Sequence, residues 1–340
     1  MGLIISVSEK QASKLFNRIL TAGLLDSKRR VQRDKKKVYF PVRKKPLFLD
    51  DYSAKIEEQG SDHTEPDSIS SYLNNRVSKK TLKKLRKSHE IVGQIIILEL
   101  DRTLERNINN IAEYLLKTNP HVKTIVRKEG AHKGKMRLQK YVYLAGEKNF
   151  STIHKENGIK IGLDIRKTYF SPRSSGERLR IANLVKPGEK ILVMFSGSAP
   201  YPLVISKNSK AKEVMGVEVN KQAHKFAVSN IKLNKLTNVR VYCGDVRVVV
   251  PRLKGSFDRI IMPLPKQGES YLKLAFSKIK AGGWIHFYDF AKMDSIPSST
   301  KKKILKSIGS SGKKVVIAKV VRCGQQAPRV FRVCADVKIV

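Results

Sequence analysis

From about residue 178 to the end of the chain, the sequence alternates between short apolar runs and segments with helical periodicity. Apolar, β-branched runs bounded by turn residues predict buried strands, and the amphipathic segments between them predict helices. A regular alternation of this kind predicts a mainly parallel sheet with right-handed crossovers. The predicted strands of this series are Lys190–Phe195, Val214–Val219, Val239–Cys243, Phe257–Met262 and Trp284–Asp289.

The last two predicted strands depart from this alternation. Lys314–Arg322 and Arg329–Val340 are separated only by Cys323–Pro328, which is too short for a crossover helix. Strands joined by so short a connection must pair antiparallel. The second half of the chain is therefore expected to be a Rossmann-like α/β domain whose parallel sheet has an antiparallel terminal strand.

Three polar features follow the first three strands of the series. The small-residue loop Phe195–Tyr201 follows the first strand, Glu218 ends the second, and Asp245 follows the third. Because the carboxyl ends of parallel strands meet at one sheet edge, these features are expected to line one ligand site. The loop would let the backbone approach a ligand, Glu218 would accept from a ribose diol, and Asp245 from an adenine amino group. Strand-end carboxylates are also common helix caps.

Together these features predict a nucleoside cofactor. The loop after the first strand has no GxGxxG pattern, and the chain has no GxxxxGK[ST] pattern, so dinucleotides and nucleoside triphosphates are disfavoured. The antiparallel pair at the end of the chain is typical of the class I methyltransferase fold. S-adenosylmethionine is therefore the expected cofactor.

Upstream of this domain the sequence predicts three further segments. Residues 1–49 form a small α+β module, with strands at Gly2–Val7 and Lys37–Val42 and a helix at Glu9–Ala22. Residues 50–80 are acidic, serine-rich and poor in large apolar residues, which predicts a linker. Residues 81–168 are expected to form a mixed α/β middle domain, before a methyltransferase domain at 169–340. The predicted segments of the middle domain are the strand Ile91–Leu100, the helix Leu104–Thr118, the strand Val122–Arg127, the basic loop Lys128–Lys135, and the strands Arg137–Leu144 and Ile159–Leu163.

The charge of the chain indicates its partner. It has 69 Lys and Arg residues against 29 Asp and Glu, which gives a net charge of +40. Such a surface attracts polyanions through phosphate contacts and counterion release. Nucleic acid is therefore the expected partner, although a generally basic proteome would also produce this balance.

Cysteine usage and hydropathy indicate the compartment. The chain has 3 cysteines, Cys243, Cys323 and Cys334, whose spacing fits neither a CxxC metal site nor a disulfide framework. We expect buried thiols in a reducing cytoplasm, and no metal. No apolar run approaches the ~20 residues of a membrane span, and the N-terminus has no signal pattern. A soluble, cytoplasmic protein is expected.

The segment Tyr169–Arg178 joins the middle domain to the methyltransferase domain. An aromatic pair and a proline lead into Arg173 and Arg178, which flank the lone carboxylate Glu177. With several other motifs, this segment resembles the archaeal and eukaryotic tRNA (guanine-N1)-methyltransferases that act at position 37. The resemblance covers nearly the whole chain, including the N-terminal module. The other motifs are Leu144–Gly146, Ile153–Gly158, Val193–Gly197, Gly216–Glu218, Asn230–Asn234 and Asp258–Pro265.

The resemblance implies transfer of a methyl group from S-adenosylmethionine to N1 of guanosine 37 in tRNA. It implies that Glu177 takes the N1 proton, that Arg137 stabilises charge on O6, and that Tyr169 places the base. The chemistry agrees, because N1 is weakly nucleophilic while protonated. The implied cofactor-binding residues are Phe195, Gly197, Ala199, Glu218, Asp245, Pro263 and Arg178, and the implied RNA-binding residues are Arg173, Asn157 and Pro265.

The resemblance also implies how the substrate is held. The family's N-terminal domain checks the outer corner of tRNA, so the anticodon loop and outer corner are the expected contacts of a monomer. Arg173 and Arg178 would bind phosphate or orient Glu177. Taken alone, the three catalytic candidates also have structural interpretations: Glu177 as a first-turn helix carboxylate, Arg137 as a surface cation and Tyr169 as a packing residue.

Two departures from the family pattern leave other functions open. Val193 and Ala199 stand where the family often has an aspartate and a second glycine, and Pro263 stands where many members have an asparagine. Proline has no side-chain donor. One alternative is the aminocarboxypropyl transfer of wyosine synthesis; another is a non-catalytic RNA-binding protein on a degenerate methyltransferase scaffold.

Overall fold

The computed structural model describes residues 2–26, 31–34, 37–59, 89–99, 107–134, 136–308 and 313–340. It divides into two units, Met1–Tyr72 and Leu73–Val340.

The first unit is an antiparallel sheet packed against one helix. In this sheet the strand order is β2-β3-β1-β4, and side chains such as Leu15 and Phe40 form its core. Strand β4 and the residues before it occupy part of the predicted linker: Tyr52 and Ala54 precede the strand, Ile56 lies in it, and all three pack against this core. Residues 60–80 of that linker lie outside the described residues. The elements are β1 (Gly2–Ser8), α1 (Glu9–Thr21), β2 (Gln32–Arg33), β3 (Lys37–Val42) and β4 (Lys55–Gln59).

The second unit begins with a four-stranded sheet in the order β5-β6-β7-β8. The predicted strand Ile91–Leu100 was wrong as a single element, because Gly93 adopts φ +55° and turns the chain into a hairpin. The predicted basic loop is mostly strand: β7 runs through Lys133 and pairs with Leu138. The elements are β5 (His89–Val92), β6 (Ile95–Leu98), α2 (Ile108–Thr118), β7 (Thr124–Lys133) and β8 (Leu138–Gly146).

A hairpin of β9 (Ser151–Glu156) and β10 (Ile159–Asp164) follows, and its first strand was not predicted. Asn157 and Gly158 form its turn with positive φ angles of 44° and 76°, a conformation that Asn-Gly favours. The hairpin is bound to the large sheet domain by Asn230, whose side chain accepts from Gly162 N at 2.7 Å and donates to Gly162 O at 3.0 Å.

The described part of the second half forms a seven-stranded sheet in the order β13-β12-β11-β14-β15-β17-β16. Neighbouring strands are parallel, except that β17 runs antiparallel to β15 and β16. The predicted fold class is confirmed, since this is the order of a class I methyltransferase sheet. The strands are β11 (Lys190–Met194), β12 (Glu213–Glu218), β13 (Val239–Cys243), β14 (Phe257–Met262), β15 (Ile279–Lys292), β16 (Val315–Ala327) and β17 (Val330–Ile339).

Helices cover both faces of this sheet, and an apolar cluster lies on each side. Strands β12 and β13 lie on one side of β11, and β14 and the strands after it lie on the other side. The carboxyl edge between β11 and β14 is therefore a topological switch point. The helices are α3 (Ser175–Asn183), α4 (Pro200–Asn208), α5 (Lys221–Leu233), α6 (Val246–Arg252), α7 (Leu272–Lys278) and α8 (Ser298–Ile308).

The three thiols differ in exposure. Cys334 is buried, as predicted, and Cys323 is partly buried. Cys243 is exposed because it ends the edge strand β13, so the prediction of a buried thiol there was wrong. Among the helices of the described ranges, no segment is both long and apolar enough to cross a bilayer.

Candidate active site

A cavity of about 1000 Å³ lies at the carboxyl edge of the large sheet. Its wall includes residues that follow β11, β12, β13 and β14, which is the edge that the strand alternation predicts. It also includes residues of the middle domain and of the β16–β17 hairpin. The predicted site residues that line it are Arg137, Tyr169, Arg178, Phe195, Gly197, Glu218, Asp245, Pro263 and Pro265.

The loop after β11 brings backbone close to the cavity. Phe195, Gly197 and Ala199 all have positive φ angles, of 60°, 59° and 69°. Gly197 N donates to Glu218 Oε2 at 2.7 Å. Ala199 is fully buried at the start of α4, so its place is structural rather than in the cavity wall. Ser196 lines the cavity, and its buried Oγ has no hydrogen-bond partner among the described residues.

Glu218 is anchored by backbone on both carboxylate oxygens. Oε1 accepts from Asn220 N at 2.7 Å, and Oε2 accepts from Gly197 N. Burial raises the pKa of Glu218, while hydrogen bonds from the backbone of Asn220, Gly197 and Val219 oppose the rise. Each carboxylate oxygen keeps a further lone pair, so the group can accept from two adjacent hydroxyls.

Asp245 combines a place in the cavity wall with a helix cap. Its carboxylate accepts from Arg247 N at 2.9 Å and pairs with the Arg247 guanidinium at 3.0 Å. That guanidinium lies 5.5 Å from the centroid of Tyr271, whose ring meets Phe195 edge to face at 4.9 Å. This cluster offers apolar surface to a planar ring. Sequence reasoning missed Tyr271, because the motif at the end of β14 stops at Pro265 and no motif extends to residue 271.

Arg137 and Tyr169 meet across the cavity wall. The guanidinium of Arg137 lies 4.8 Å from the centroid of the Tyr169 ring. Tyr169 is 37% exposed, and Arg137 has a positive φ of 53° in the turn before β8. The fold thus brings together two of the three predicted catalytic residues from segments that are separated in sequence.

Glu177 is buried in the first turn of α3 and, among the described residues, is not part of the cavity wall. Arg180 donates to both of its oxygens, from Nε at 2.7 Å and from Nη2 at 2.9 Å. Tyr288 donates its hydroxyl to Oε1 at 2.6 Å. Tyr288 does line the cavity, so its side chain lies between the cavity and this carboxylate.

A chain of buried ionic contacts continues from Arg180. Arg180 Nη1 donates to Asp336 at 2.7 Å, and Asp336 accepts from His286 Nδ1 at 2.6 Å. His286 Nε2 lies 2.7 Å from Arg259 Nη1, which can only donate. His286 is therefore neutral, with its proton on Nδ1. Arg259 completes the chain by pairing with Glu189 at 2.8 Å.

The pKa shifts of His286 and Asp336 agree with the hydrogen bonds of this ionic network. Burial lowers the pKa of His286, opposed by its bond to Asp336 and assisted by Arg259. Burial alone would raise the pKa of Asp336, but the bonds from His286 and Arg180 prevail and lower it. His286, Cys334 and Asp336 place donor atoms within 4.8 Å of one another. Because two guanidinium groups already pair with this cluster, a cation there would be repelled.

The remaining predicted residues make contacts within the protein. Arg178 lines the cavity but forms a buried bidentate pair with Glu156 at 2.5 Å. Arg173 pairs with Glu90 at 2.8 Å on the surface. Asn157 donates to Ser175 O at 2.9 Å and lies outside the cavity wall as described. Cavity-lining residues that sequence reasoning missed include Asn220, Lys266, Tyr271, Tyr288, Gln326 and Arg332.

Two family models match the chain. The TRM5/TYW2 methyltransferase domain matches residues 152–317, and the TYW2 N-terminal domain matches residues 69–149. Among curated proteins, the tRNA (guanine(37)-N(1))-methyltransferase Trm5b of Pyrococcus abyssi is 30% identical over 100% of this chain and 99% of its own length. The tRNA(Phe) (4-demethylwyosine(37)-C(7)) aminocarboxypropyltransferase of Pyrococcus horikoshii is 33% identical over 80% of this chain and 96% of its own length.

Solved structures agree with these relatives. The crystal structure of Trm5b from Pyrococcus abyssi matches with a TM-score of 0.71 and 28% identity, covering 100% of this chain and 99% of that chain. The complex of aTrm5 with tRNALeu matches with a TM-score of 0.70 and 25% identity, covering 99% of this chain and 100% of that chain.

Proposed function

The chain belongs to the TRM5/TYW2 methyltransferase family, and on that premise we propose that it transfers a methyl group from S-adenosylmethionine to N1 of guanosine 37 in tRNA. The observation that carries this proposal is the full-length match to a tRNA (guanine(37)-N(1))-methyltransferase. Of the alternatives considered, the non-catalytic one is disfavoured because the residues expected to hold a nucleoside cofactor surround one cavity.

The residues around β11 and β12 fit the cofactor. Glu218 presents two anchored oxygens to a ribose diol, and the unpartnered Ser196 Oγ offers a further polar contact. Phe195 and Tyr271 form an apolar wall for an adenine ring beside Asp245. When bound, S-adenosylmethionine supplies an activated methyl group on its sulfonium.

For the base, the proposal uses the residues that the family resemblance implies. Arg137 would place positive charge at O6 of guanine, with its guanidinium held against the Tyr169 ring. A cation at O6 stabilises the charge that develops as N1 loses its proton. Glu177 would be the final acceptor of that proton. Pro263, Leu264 and Pro265 line the cavity, and their backbone carbonyls would take the place of an amide side chain.

The finer details of substrate handling are also proposals. We assign the anticodon loop to the cavity and the outer corner of tRNA to the N-terminal module, which extends beyond residue 49 because β4 pairs with β1, and we place the boundary between the other domains at 168/169. The basic composition supports contact with a long stretch of phosphates. Arg173 and Pro265 would contact RNA. The protein would act as a monomer in the cytoplasm without a metal.

One experiment tests the function. Purified protein is incubated with labelled S-adenosylmethionine and an unmodified tRNA transcript, and the digested nucleosides are analysed by mass spectrometry. We expect N1-methylguanosine, and no product from a transcript with adenosine at position 37. An aminocarboxypropyl adduct would overturn the proposal. So would the absence of any product from a transcript that a known tRNA (guanine-N1)-methyltransferase does methylate.

The aminocarboxypropyl reaction is the second candidate. It is favoured by the match of residues 69–149 to the TYW2 N-terminal domain and by the 33% identity to an enzyme of that activity. Adding tRNA that carries 4-demethylwyosine to the same assay distinguishes the two reactions. A product heavier by the aminocarboxypropyl group on that tRNA alone would support the second candidate.

A further inference from the structure

The wall between Glu177 and the cavity is formed by a pair of tyrosines. Tyr288 and Tyr201 both line the cavity, and their hydroxyl oxygens are 2.9 Å apart. Tyr288 donates its single proton to Glu177 Oε1 at 2.6 Å. Tyr201 must therefore be the donor in the bond between the two hydroxyls. Tyr288 Oη then has one lone pair occupied and one still able to accept.

Glu177 itself has little freedom to turn toward the cavity. Glu177 is 8% exposed, and its carboxylate is held by two hydrogen bonds from Arg180. Arg180 is in turn fixed by Asp336 at 2.7 Å and 3.2 Å. A carboxylate clamped by a bidentate guanidinium keeps its position, because planar paired hydrogen bonds define its orientation. The group that connects it to the cavity is Tyr288.

Resting on the proposed function, we propose that Tyr288 relays the N1 proton of guanine to Glu177. The N1–H proton passes to Tyr288 Oη while the phenolic proton of Tyr288 passes to Glu177 Oε1. In the same step the N1–methyl bond forms, the methyl–sulfur bond breaks, and its electron pair stays on sulfur. The sulfonium and the carboxylate are both neutral afterwards, so charge and protons balance.

The surroundings of Tyr288 favour a relay through the neutral phenol and disfavour a deprotonated tyrosinate. Burial first, and then Cys334, Tyr201 and Glu177, raise the pKa of Tyr288 well above its usual value. The phenol is therefore neutral before and after the reaction, as the double proton movement requires. Arg180 and Asp336 keep the Glu177 acceptor fixed during the transfer.

Tyr288→Phe is the central variant, measured in single turnover with saturating enzyme. The relay predicts a rate at least about 100-fold lower, which is the usual scale for losing a proton-transfer group. Loss of one hydrogen bond to a charged group such as Glu177 can itself cost roughly tenfold to 100-fold, so a second measurement that counts the protons in motion is needed. Tyr201→Phe removes the neighbouring hydroxyl but leaves the hydrogen bond from Tyr288 to Glu177, so its rate should fall by less than that of Tyr288→Phe. Affinities of Tyr288→Phe for tRNA and for S-adenosylmethionine should match those of the wild type.

A second measurement needs no variant. The relay moves two protons in one step, so the single-turnover rate of the wild type should fall along a curve as the D2O fraction rises. A straight line indicates one proton in flight and overturns the relay whatever the variant does. A Tyr288→Phe rate within about tenfold of wild type also overturns it. Failure of the proposed function is distinct, because the wild type would then form no N1-methylguanosine.

Discussion

At the scale of single residues, the functional carboxylates are distinguished by what holds them. Glu218 accepts only from backbone N–H groups in the hydrogen bonds described, whereas Glu177 is held by a guanidinium and a phenol. Asp245 is partly used as the cap of α6. The three therefore suit different tasks: recognising hydroxyl groups, accepting a proton, and orienting a loop.

Replacing Glu177 tests the base assignment directly. Glu177→Gln keeps the size of the side chain but removes its ability to accept a proton as a carboxylate. We expect single-turnover methyl transfer to fall by about 100-fold or more, with nearly unchanged tRNA binding. Equal rates in the variant and the wild type would remove Glu177 from the mechanism.

Glu218 should make cofactor binding depend on pH. Its pKa is raised by burial, and ribose hydroxyls donate best to the ionised carboxylate. Affinity should therefore fall as the pH drops through that raised pKa, and binding near it should release a proton. Calorimetric titrations between about pH 5 and 8, a range that starts just above the unperturbed Glu value, check this.

The variants for this prediction are on one strand. Glu218→Gln should lower affinity by roughly tenfold to 100-fold, as expected for a charged hydrogen-bond partner, and remove the pH dependence. Glu213→Gln, at the other end of β12, is the control and should behave as wild type. A pH dependence that persists in Glu218→Gln would assign it to another group.

At the scale of elements, the β5–β6 turn rests on the β9–β10 hairpin. Gly93 N donates to His154 at 3.2 Å, and Gln94 N donates to Thr152 Oγ1 at 2.9 Å. A Cβ at Gly93 would overlap Thr152 Oγ1 and would lie 2.6 Å from Ile153 O. This close approach joins the middle sheet to the hairpin that carries Glu156, the partner of Arg178.

Gly93→Ala should therefore destabilise this junction. A positive φ costs a non-glycine residue about 1–2 kcal/mol, and overpacking adds about 1–3 kcal/mol. Gly130→Ala is the matched control, because its φ is +67° but nothing lies within 4 Å of the added Cβ. Thermal unfolding should show a clearly larger drop for Gly93→Ala. Equal midpoints in the two variants would mean that the turn does not pack as described.

The ionic chain links α3 to strands β15 and β17 through Arg180, Asp336 and His286. The lowered pKa of Asp336 gives stability that is present above the unfolded value and is lost as the pH falls through the folded value. As the pH falls, the lowered pKa of His286 reduces stability before that of Asp336 does. Below its unfolded pKa of ~6.5 the unfolded state takes up a proton that the folded state resists.

Stability should therefore begin to fall below about pH 6.5 and continue to fall at lower pH. Asp336→Asn should unfold more easily at pH 7 by about 1–3 kcal/mol, since it leaves the partly buried Arg180 with one carboxylate partner fewer. It should also show a shallower fall with acid, because one of the two linked groups is gone. Unfolding midpoints against pH check both, and parallel curves for variant and wild type would contradict the linkage.

At the scale of the whole molecule, net charge decides how the substrate is captured. A chain with 69 Lys and Arg residues against 29 Asp and Glu has far more cations than its described ion pairs neutralise. Binding of a polyanion releases counterions and is therefore weakened by salt. The cofactor site depends instead on hydrogen bonds and apolar contact within one cavity.

This difference predicts a strong salt dependence of affinity for tRNA and a weak one for S-adenosylmethionine. Between 50 and 200 mM salt, tRNA affinity should fall by at least about 1,000-fold if about six or more phosphates are neutralised. Affinity for S-adenosylmethionine should change little over that range. Filter binding for tRNA and calorimetry for the cofactor measure these slopes. A flat tRNA slope would show that phosphate contacts contribute little.

The sequence alone determined the parallel pairing and the antiparallel end of the large sheet, and the edge at which the candidate ligand site lies. Phe195, Glu218 and Asp245 follow predicted strands directly, so their meeting at one edge is a consequence of parallel pairing. The hairpin β9–β10 was predictable in principle from Asn157-Gly158, but its first strand lacks an apolar run. Strand β4 was missed because its five residues include a single apolar one, Ile56, and its composition is acidic.

Only the tertiary structure decided how Glu177 is held and what separates it from the cavity. Tyr288 is 111 residues from Glu177 along the chain, and Asp336 is 156 residues from Arg180. Local patterns predict which face of a strand is buried, but they do not say which distant side chains share that interior. Packing of α3 against β15 and β17 makes those contacts, and with them the route that a proton would take.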